Sequence, residues 1–484
     1  MTVDTGHVWQ RLSPRMLLVH PVHEVLRQIP LLIGSVVLGS ATGNPMWTLF
    51  GLALVIGYGV ARWFTTSYRI DADEVRLRTG VLQRKVLSVP RNRIRSVSTD
   101  ARLLHRLLGL TVLRLSTGQE AKGDAAFALD AVEAQQVPRL RAILLADSLA
   151  PAEQEASAPG RELARWQPSW LRYSPLSFTG LAMIAAAVGL AYQAGAAAAL
   201  ENSRLARSGL HAAERFGVVA TVIVAAVVVL VASVVLSVLR SLVTYGNLVL
   251  RRDADVLHLQ HGLLRVREQT FDMRRLRGGT LREPLLVRLF GGARLDAVMT
   301  GVEGAGEASL LLPPCPRTKA EAVLSELIAR PDAVSGLLRV HGAAATRRRW
   351  TRALALPAVL LVAMVALYSR TPVWLWPVWA GLTVCCMLLA FDRSRALGHR
   401  VDAEWLVARA GSLDRRRDCI AAAGIIGWTV RQTLLQRRAG VATLIAATAA
   451  GVKSYRVLDV PAGLAWTIVA AASPWVVDNQ WART

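Results

Sequence analysis

Arg91, Arg93 and Arg95 stand at every second position of one short stretch, with Arg84 and Lys85 just upstream. Guanidinium and ammonium groups so close together do one kind of chemistry well: they hold oxyanions such as phosphate headgroups. On an extended strand the three arginines share a face while Ile94 and Val97 point elsewhere. These five residues are therefore the candidate surface for anionic lipid or for a protein partner. The plainer account is that the same arginines set membrane topology and stay solvated.

Other chemistries lack their residues. There is no GxSxG, Walker A or HExxH stretch, and no pair of carboxylates in an apolar setting. An enzyme is not expected. His20, His23 and Glu24, or His211 and Glu214, are sparse sets without a third ligand, so neither a metal nor another cofactor is expected. The four cysteines, Cys315, Cys385, Cys386 and Cys419, form no CxxC pair and no disulfide framework. The formal net charge of +23 calls for a negative partner surface. With 53% hydrophobic residues and a mean hydropathy of +0.36, that surface is the anionic leaflet of a membrane rather than nucleic acid.

The elements that must carry these residues come in three copies. A glycine opens a basic stretch and a second closes it 29 positions later: Gly80 and Gly109, Gly262 and Gly291, Gly411 and Gly440. Six residues before each closing glycine is a Leu-Leu pair, and three before it an arginine, Arg106, Arg288 or Arg437. A fixed internal period marks one structural unit used repeatedly. The recurring arginines are read as structural, bonding carbonyls of an adjacent turn.

Before each copy lie two apolar runs: 28–43 and 45–63, 174–200 and 216–239, 353–369 and 373–391. Each approaches the length that crosses a bilayer, about 17–25 residues. The short turns between runs carry few arginines, whereas the opposite side carries Arg347, Arg348, Arg349 and all of the repeat arginines. That asymmetry places both termini and the polar domains in the cytoplasm. No ionisable residue lies in the middle of a run, which lowers the case for ion-coupled transport or intramembrane chemistry.

Within the first copy, Tyr68 to Ile70 and Glu74 to Thr79 alternate as half-buried strands do, and Val86 to Val89, Ile94 to Ser98 and Thr111 to Ser116 continue the pattern. Asp130 with Glu133 suggests a capping box for a helix reaching about residue 146, with Pro138 predicting a kink or a late start. The second copy follows the same plan, with a final helix from Lys319 to Ala329. The third alternates poorly, and its last helix runs from Leu464 to Ala472.

The stretch from Tyr68 to Leu82, the segment Val89-Pro90-Arg91-Asn92-Arg93-Ile94-Arg95-Ser96-Val97 and the run Leu103 to Leu110 resemble the bacterial pleckstrin-homology-like membrane proteins. Leu18-Val19-His20-Pro21 and Arg172-Tyr173-Ser174-Pro175-Leu176 resemble that family's approach to its hairpins. The second copy has Phe271-Asp272-Met273 where the first has its proline, and the third has Ile420 to Gly424 there. The resemblance implies a small barrel-like sheet with a capping helix, in a bacterial inner membrane, and no firm biochemical activity.

The expected architecture is an α+β membrane protein with six transmembrane helices in three hairpins, each followed by a small PH-like sheet domain with a C-terminal helix. The segments are 1–64 (hairpin 1), 65–148 (domain 1), 149–173 (linker), 174–242 (hairpin 2), 243–330 (domain 2), 331–352 (linker), 353–391 (hairpin 3) and 392–484 (a divergent domain 3). The expected role is a non-enzymatic scaffold or accessory protein that engages anionic lipid headgroups or a membrane protein. The alternative is a transporter or export and resistance factor for a lipid or amphipathic peptide, working through the helix bundle.

Overall fold

The computed structural model describes residues 9–11, 64–71, 73–80, 84–91, 94, 96–116, 127–145, 160–177, 179–193, 217–301 and 309–476, with isolated positions between 46 and 61. The first expected hairpin (28–43 and 45–63), His20, His23, Glu24, His211, Glu214, Arg93 and Arg95 lie outside the described residues or among those isolated positions. The chain divides into two compact units, Met1–Arg165 with Val243–Arg275, and Trp166–Leu242 with Leu276–Thr484.

In the first unit, β1 (Gln10–Arg11), β2 (Ser67–Ile70), β3 (Glu74–Thr79) and β4 (Lys85–Pro90) form an antiparallel sheet in that order. Then come β5 (Ser96–Ala101), the short helix α1 (Leu103–Leu107), β6 (Leu110–Ser116), β7 (Phe127–Glu133) and α2 (Val137–Leu145). Alternation works as expected: Val75 and Leu77 of β3 are fully or nearly fully buried while Glu74, Arg76 and Arg78 are not. They meet Val97, Leu113, Leu115, Phe127 and Leu129 from β5–β7, and Val137 and Leu144 of α2 close the core. Asp130 is no helix cap. It sits inside β7, paired with β6, and the helix starts late, at Val137, with Pro138 in its first turn, where a missing N–H is harmless.

The larger sheet is not confined to one copy. Its order is β7-β6-β5-β11-β10-β9-β8, where β8 is Arg161–Arg165 and β9 (Val249–Asp253), β10 (Val256–His261) and β11 (Val266–Asp272) open the second copy. The half-sheet β5–β7 of the first copy is thus continued by β9–β11 of the second. The edge strand β8 comes from within the segment 149–173.

The second unit repeats the scheme. A six-stranded sheet runs β14-β13-β12-β17-β16-β15, from β12 (Leu276–Pro284), β13 (Gly292–Met299) and β14 (Leu310–Pro316) of the second copy and β15 (Gly398–Val401), β16 (Trp405–Ala410) and β17 (Asp414–Ala421) of the third. β18 (Ile425–Arg431), β19 (Val441–Thr448) and β20 (Ser454–Pro461) form the last sheet. Leu406 and Ile420 face Leu444, Tyr455 and Val457, with Ile468 and Val469 of the terminal helix (Ala465–Ala472) beneath. The third copy therefore keeps both half-sheets despite its weak alternation, because small residues such as Ala408, Ala442 and Ala446 fill its core.

Three helices here are long and apolar enough to cross a membrane: Val218–Tyr245, Gly342–Ala366 and Leu375–Ala396. A fourth span is possible by length if the bent pair Pro168–Ser177 and Gly180–Gly189 counts as one. In chain order the remaining helices are α3 (Thr179–Gln193), α4 (Val218–Tyr245), α5 (Leu285–Leu289), α6 (Arg317–Ile328), α7 (Pro331–Ser335), α8 (Gly342–Ala366), α9 (Leu375–Ala396), α10 (Leu434–Arg438) and α11 (Ala465–Ala472). α8 and α9 form a hairpin in which the Trp379 indole donates to the Pro357 carbonyl at 2.9 Å. α3 meets α4 at Gly180, whose N–H donates to Ser237 Oγ at 2.7 Å; a Cβ there would lie 1.8 Å from the Ser233 carbonyl oxygen. Only glycine permits that approach. The second linker is also built in: Ala333 and Val334 of α7 are buried, and Arg339 bridges His399.

Candidate membrane-facing surface

The closing glycines adopt the left-handed conformation, with φ of 67° at Gly109, 73° at Gly291 and 66° at Gly440. Each N–H donates back to its marked arginine, over 3.1 Å to Arg106, 2.9 Å to Arg288 and 3.2 Å to Arg437. This stops the helix after five residues. The opening glycines Gly80, Gly262 and Gly411 have φ of 119°, 106° and 103°. At Gly262 a Cβ would lie 2.1 Å from the Arg265 carbonyl oxygen, so the turn admits no other residue without moving.

The resulting short helices α1, α5 and α10 each bury one central side chain, His105, Val287 or Gln436. Each carries exposed apolar side chains, although Leu285 and Leu286 of α5 are half-buried. Leu103, Leu104 and Leu107 are exposed on α1, Leu289 and Phe290 at the end of α5, and Leu434 and Leu435 on α10, with Leu107 at 80% and Leu434 at 81%. Arginine sits among them each time.

Two of these arginines tie their helix to the next copy, close to the end of an apolar helix. Arg106 Nη1 donates to the Leu263 carbonyl at 2.9 Å, and the Leu263 N–H donates to the Val243 carbonyl near the end of α4. Arg288 Nη2 lies 2.8 Å from Asp392 Oδ2, near the end of α9, and Arg415 holds the other oxygen of Asp392 at 2.6 Å. Val243 precedes Gly262 by the same 19 positions that separate Asp392 from Gly411. Arg437 has no such partner among the described residues.

Of the expected arginine face at 91–95, Arg93 and Arg95 lie outside the described residues. Arg91 begins a 3₁₀ turn, and its side chain donates to the Ile143 carbonyl at the end of α2. Ile94 is fully buried outside any strand, and β5 starts only at Ser96. The reason is a corner that recurs in all three copies. The N–H groups of Arg91, Met273 and Ala422 donate to the carbonyls of Asp73, Asp255 and Glu404 at 2.7–2.9 Å, turning the chain from one half-sheet into the next. Arg84 and Lys85 are exposed at the start of β4.

Several acids whose role the sequence did not reveal do the pairing. Asp100 is buried opposite β11 and receives the forked guanidinium of Arg265, with Nε at 2.5 Å; Arg114 lies 3.6 Å away. Burial alone would raise its carboxyl, but Arg265, Arg114 and Arg267 outweigh burial and hold it below the ordinary carboxylate range. Being the lone acid in its basic stretch was the available signal. At the second junction Asp296 is buried beside Arg282 and Arg294, both at 2.9 Å, and Asp418 accepts from Thr280 at 2.7 Å; burial raises both carboxyls. Asp459, at φ 55°, receives Arg349 at 2.7 Å, Arg348 at 3.4 Å and the Gln436 amide at 2.8 Å.

His399 Nδ1 lies 2.9 Å from His341 Nε2, whose own Nδ1 contacts the Leu458 carbonyl at 2.7 Å. Burial, with His341 beside it, pushes His399 down to about 4, so the pair is neutral and packed. Burial raises the Cys315 and Cys419 thiols to about 12. No group of three metal-ligating side chains occurs among the described residues.

Within each unit, half-sheets of consecutive copies pair edge to edge, and the first and third copies each pack two half-sheets and a helix around one core. The sequence profile of the Bacterial PH domain family matches three times, over residues 24–148, 207–331 and 351–465. Those segments make up well over half of the chain, and the chain belongs to that family. No curated protein and no solved structure matches it.

Proposed function

We propose that this is a non-enzymatic, multi-pass protein of the bacterial inner membrane, a scaffold whose PH-like domains grip the anionic cytoplasmic leaflet. In this reading six helices cross in three hairpins, and both termini and all the domains are cytoplasmic. PH-like domains are binding modules for lipid or protein. The observation that carries the choice of lipid is the short helix with water-exposed leucines around an arginine, present three times. Exposed apolar side chains on a short helix that recurs in every copy mark an interaction surface. Two of these helices are held to residues near the ends of apolar helices, which is where headgroups lie. Burying one leucine is worth about 1.5–3 kcal/mol, and each basic residue near an anionic leaflet adds about 1 kcal/mol. A few of each suffice to keep a tethered domain on the surface. The charge of +23 supports the same reading.

The test uses the full chain in nanodiscs. An environment-sensitive dye on a cysteine at Leu107 or Leu289, with Cys385 and Cys386 replaced by alanine, should report an apolar setting in discs containing anionic lipid. The signal should weaken in purely zwitterionic discs. Dyes that stay aqueous at both positions in both kinds of disc would remove the reading and leave a protein partner as the occupant of these surfaces.

A further inference from the structure

The contact between copies occurs twice in this chain, and in one register. At the first junction β5 pairs with β11, with Asp100 opposite Arg267 and Ser98 opposite Gln269. At the second β12 pairs with β17, with Arg282 opposite Arg416 and Thr280 opposite Asp418. In both, the residue nine before a closing glycine faces the residue five after the next opening glycine. Two independent stretches of sequence share this pairing, so it belongs to the unit and not to one local accident.

The three copies carry three of each half of this contact, and the two junctions use two of each. In the third copy, β18 corresponds to β5 and β12, and among the described residues it pairs with β19 alone. Its pairing with β19 carries an irregularity between Ile425 and Gly427, where β12 carries one against β13 between Leu276 and Gly278. In the first copy, β4 corresponds to β11 and β17, and among the described residues it pairs with β3 alone. Val86 of β4 and Ile426 of β18 are exposed, at 54% and 66%. An open strand edge presents unsatisfied N–H and C=O groups to any matching edge.

We propose that β18 of one molecule pairs with β4 of a second copy of this chain, extending the internal junction between molecules. The internal register then sets Arg431 opposite Lys85, Val430 opposite Val86 and Thr429 opposite Leu87. The second copy is the fitting occupant because each molecule carries both halves of a contact that it already makes twice within itself. Such a heterologous contact closes into a ring or extends into a row. It is weaker than the internal junctions. Lys85 and Arg431 are like charges directly opposite each other, whereas Asp100 meets Arg267 at the first junction and Asp296 and Asp414 accompany Arg282 at the second.

The experiment co-expresses two differently tagged full-length chains lacking Cys385 and Cys386, one with Val430→Cys and the other with Val86→Cys. Facing Cβ atoms on paired strands are about 4.5–5.5 Å apart, close enough for oxidative crosslinking. In native membranes a mixed-tag dimer is expected, well above that from Val430→Cys with the off-register Val89→Cys. Arg431→Asp, which recreates the Asp100–Arg267 pairing, should raise the yield roughly two- to fivefold, and Lys85→Asp on the partner should cancel the gain. Mixed-tag crosslinking no greater than the off-register control overturns the proposal. So does a crosslink confined within single molecules when both cysteines share one chain.

Discussion

Replacing Asp459 with asparagine should loosen the third domain from the start of α8. The side chain is 3% exposed and faces Arg349, at 6%, and Arg348, at 11%. Asparagine keeps the size and tolerates the left-handed backbone at φ 55°. The change therefore removes one charge and little else, leaving two buried guanidinium groups without their carboxylate. Breaking a buried pair from one side costs about 3–5 kcal/mol, which is roughly a 10²- to 10⁴-fold rise in opening at 1.4 kcal/mol per decade. Hydrogen exchange of the β19 and β20 amides in the detergent-solubilised chain reads that opening directly. Adding Arg349→Met should recover at least about tenfold, since one of the stranded charges is then gone. A loss of protection below about tenfold in the single variant would show that the ion pair does not hold this domain.

The two internal junctions should answer acid in opposite ways. Asp100 is held below its unfolded value of about 3.9, so its contribution is present above that pH and is lost as the pH falls through the lower folded value. Asp296 and Asp418 are raised by burial, so they detract from stability as the pH rises through their folded values and cease to do so in acid. Between about pH 6 and about pH 3, amides of β5 and β11 should lose protection relative to those of β12 and β17, and Asp100→Asn should abolish the difference in slope. Asp392→Ala strands both Arg288 and Arg415, whereas Arg288→Ala leaves Asp392 paired with Arg415. The aspartate variant should cost about 2–3 kcal/mol against about 1 kcal/mol for the arginine variant, and equal melting shifts would contradict the shared pair.

Much of the local structure was legible in the chain. The glycines at one spacing announced their turns because positive φ admits few other residues, and all six have it. Alternation placed Val75 and Leu77 inward, and the short Leu-Leu helices ended where their glycines stand. Local signals failed where a partner strand decided the outcome. Asp130 and Glu133 have capping-box spacing, yet both lie in β7, and the helix starts only at Val137. Arg91 reads as part of an extended strand, yet its N–H is bonded to Asp73 and β4 ends at Pro90.

The sequence by itself determined that one unit is used three times, that it carries apolar helices and excess arginine, and where its turns fall, because periodicity, charge and glycine act within a few residues. Only the tertiary structure decided that β5 joins β11 and β12 joins β17 across neighbouring copies, and that Asp100, Asp392 and Asp459 are the acids that hold the arginines. Backbone edges look alike in any strand, so which edge meets which is settled by the energy of distant residues brought together, and no spacing along the chain records it.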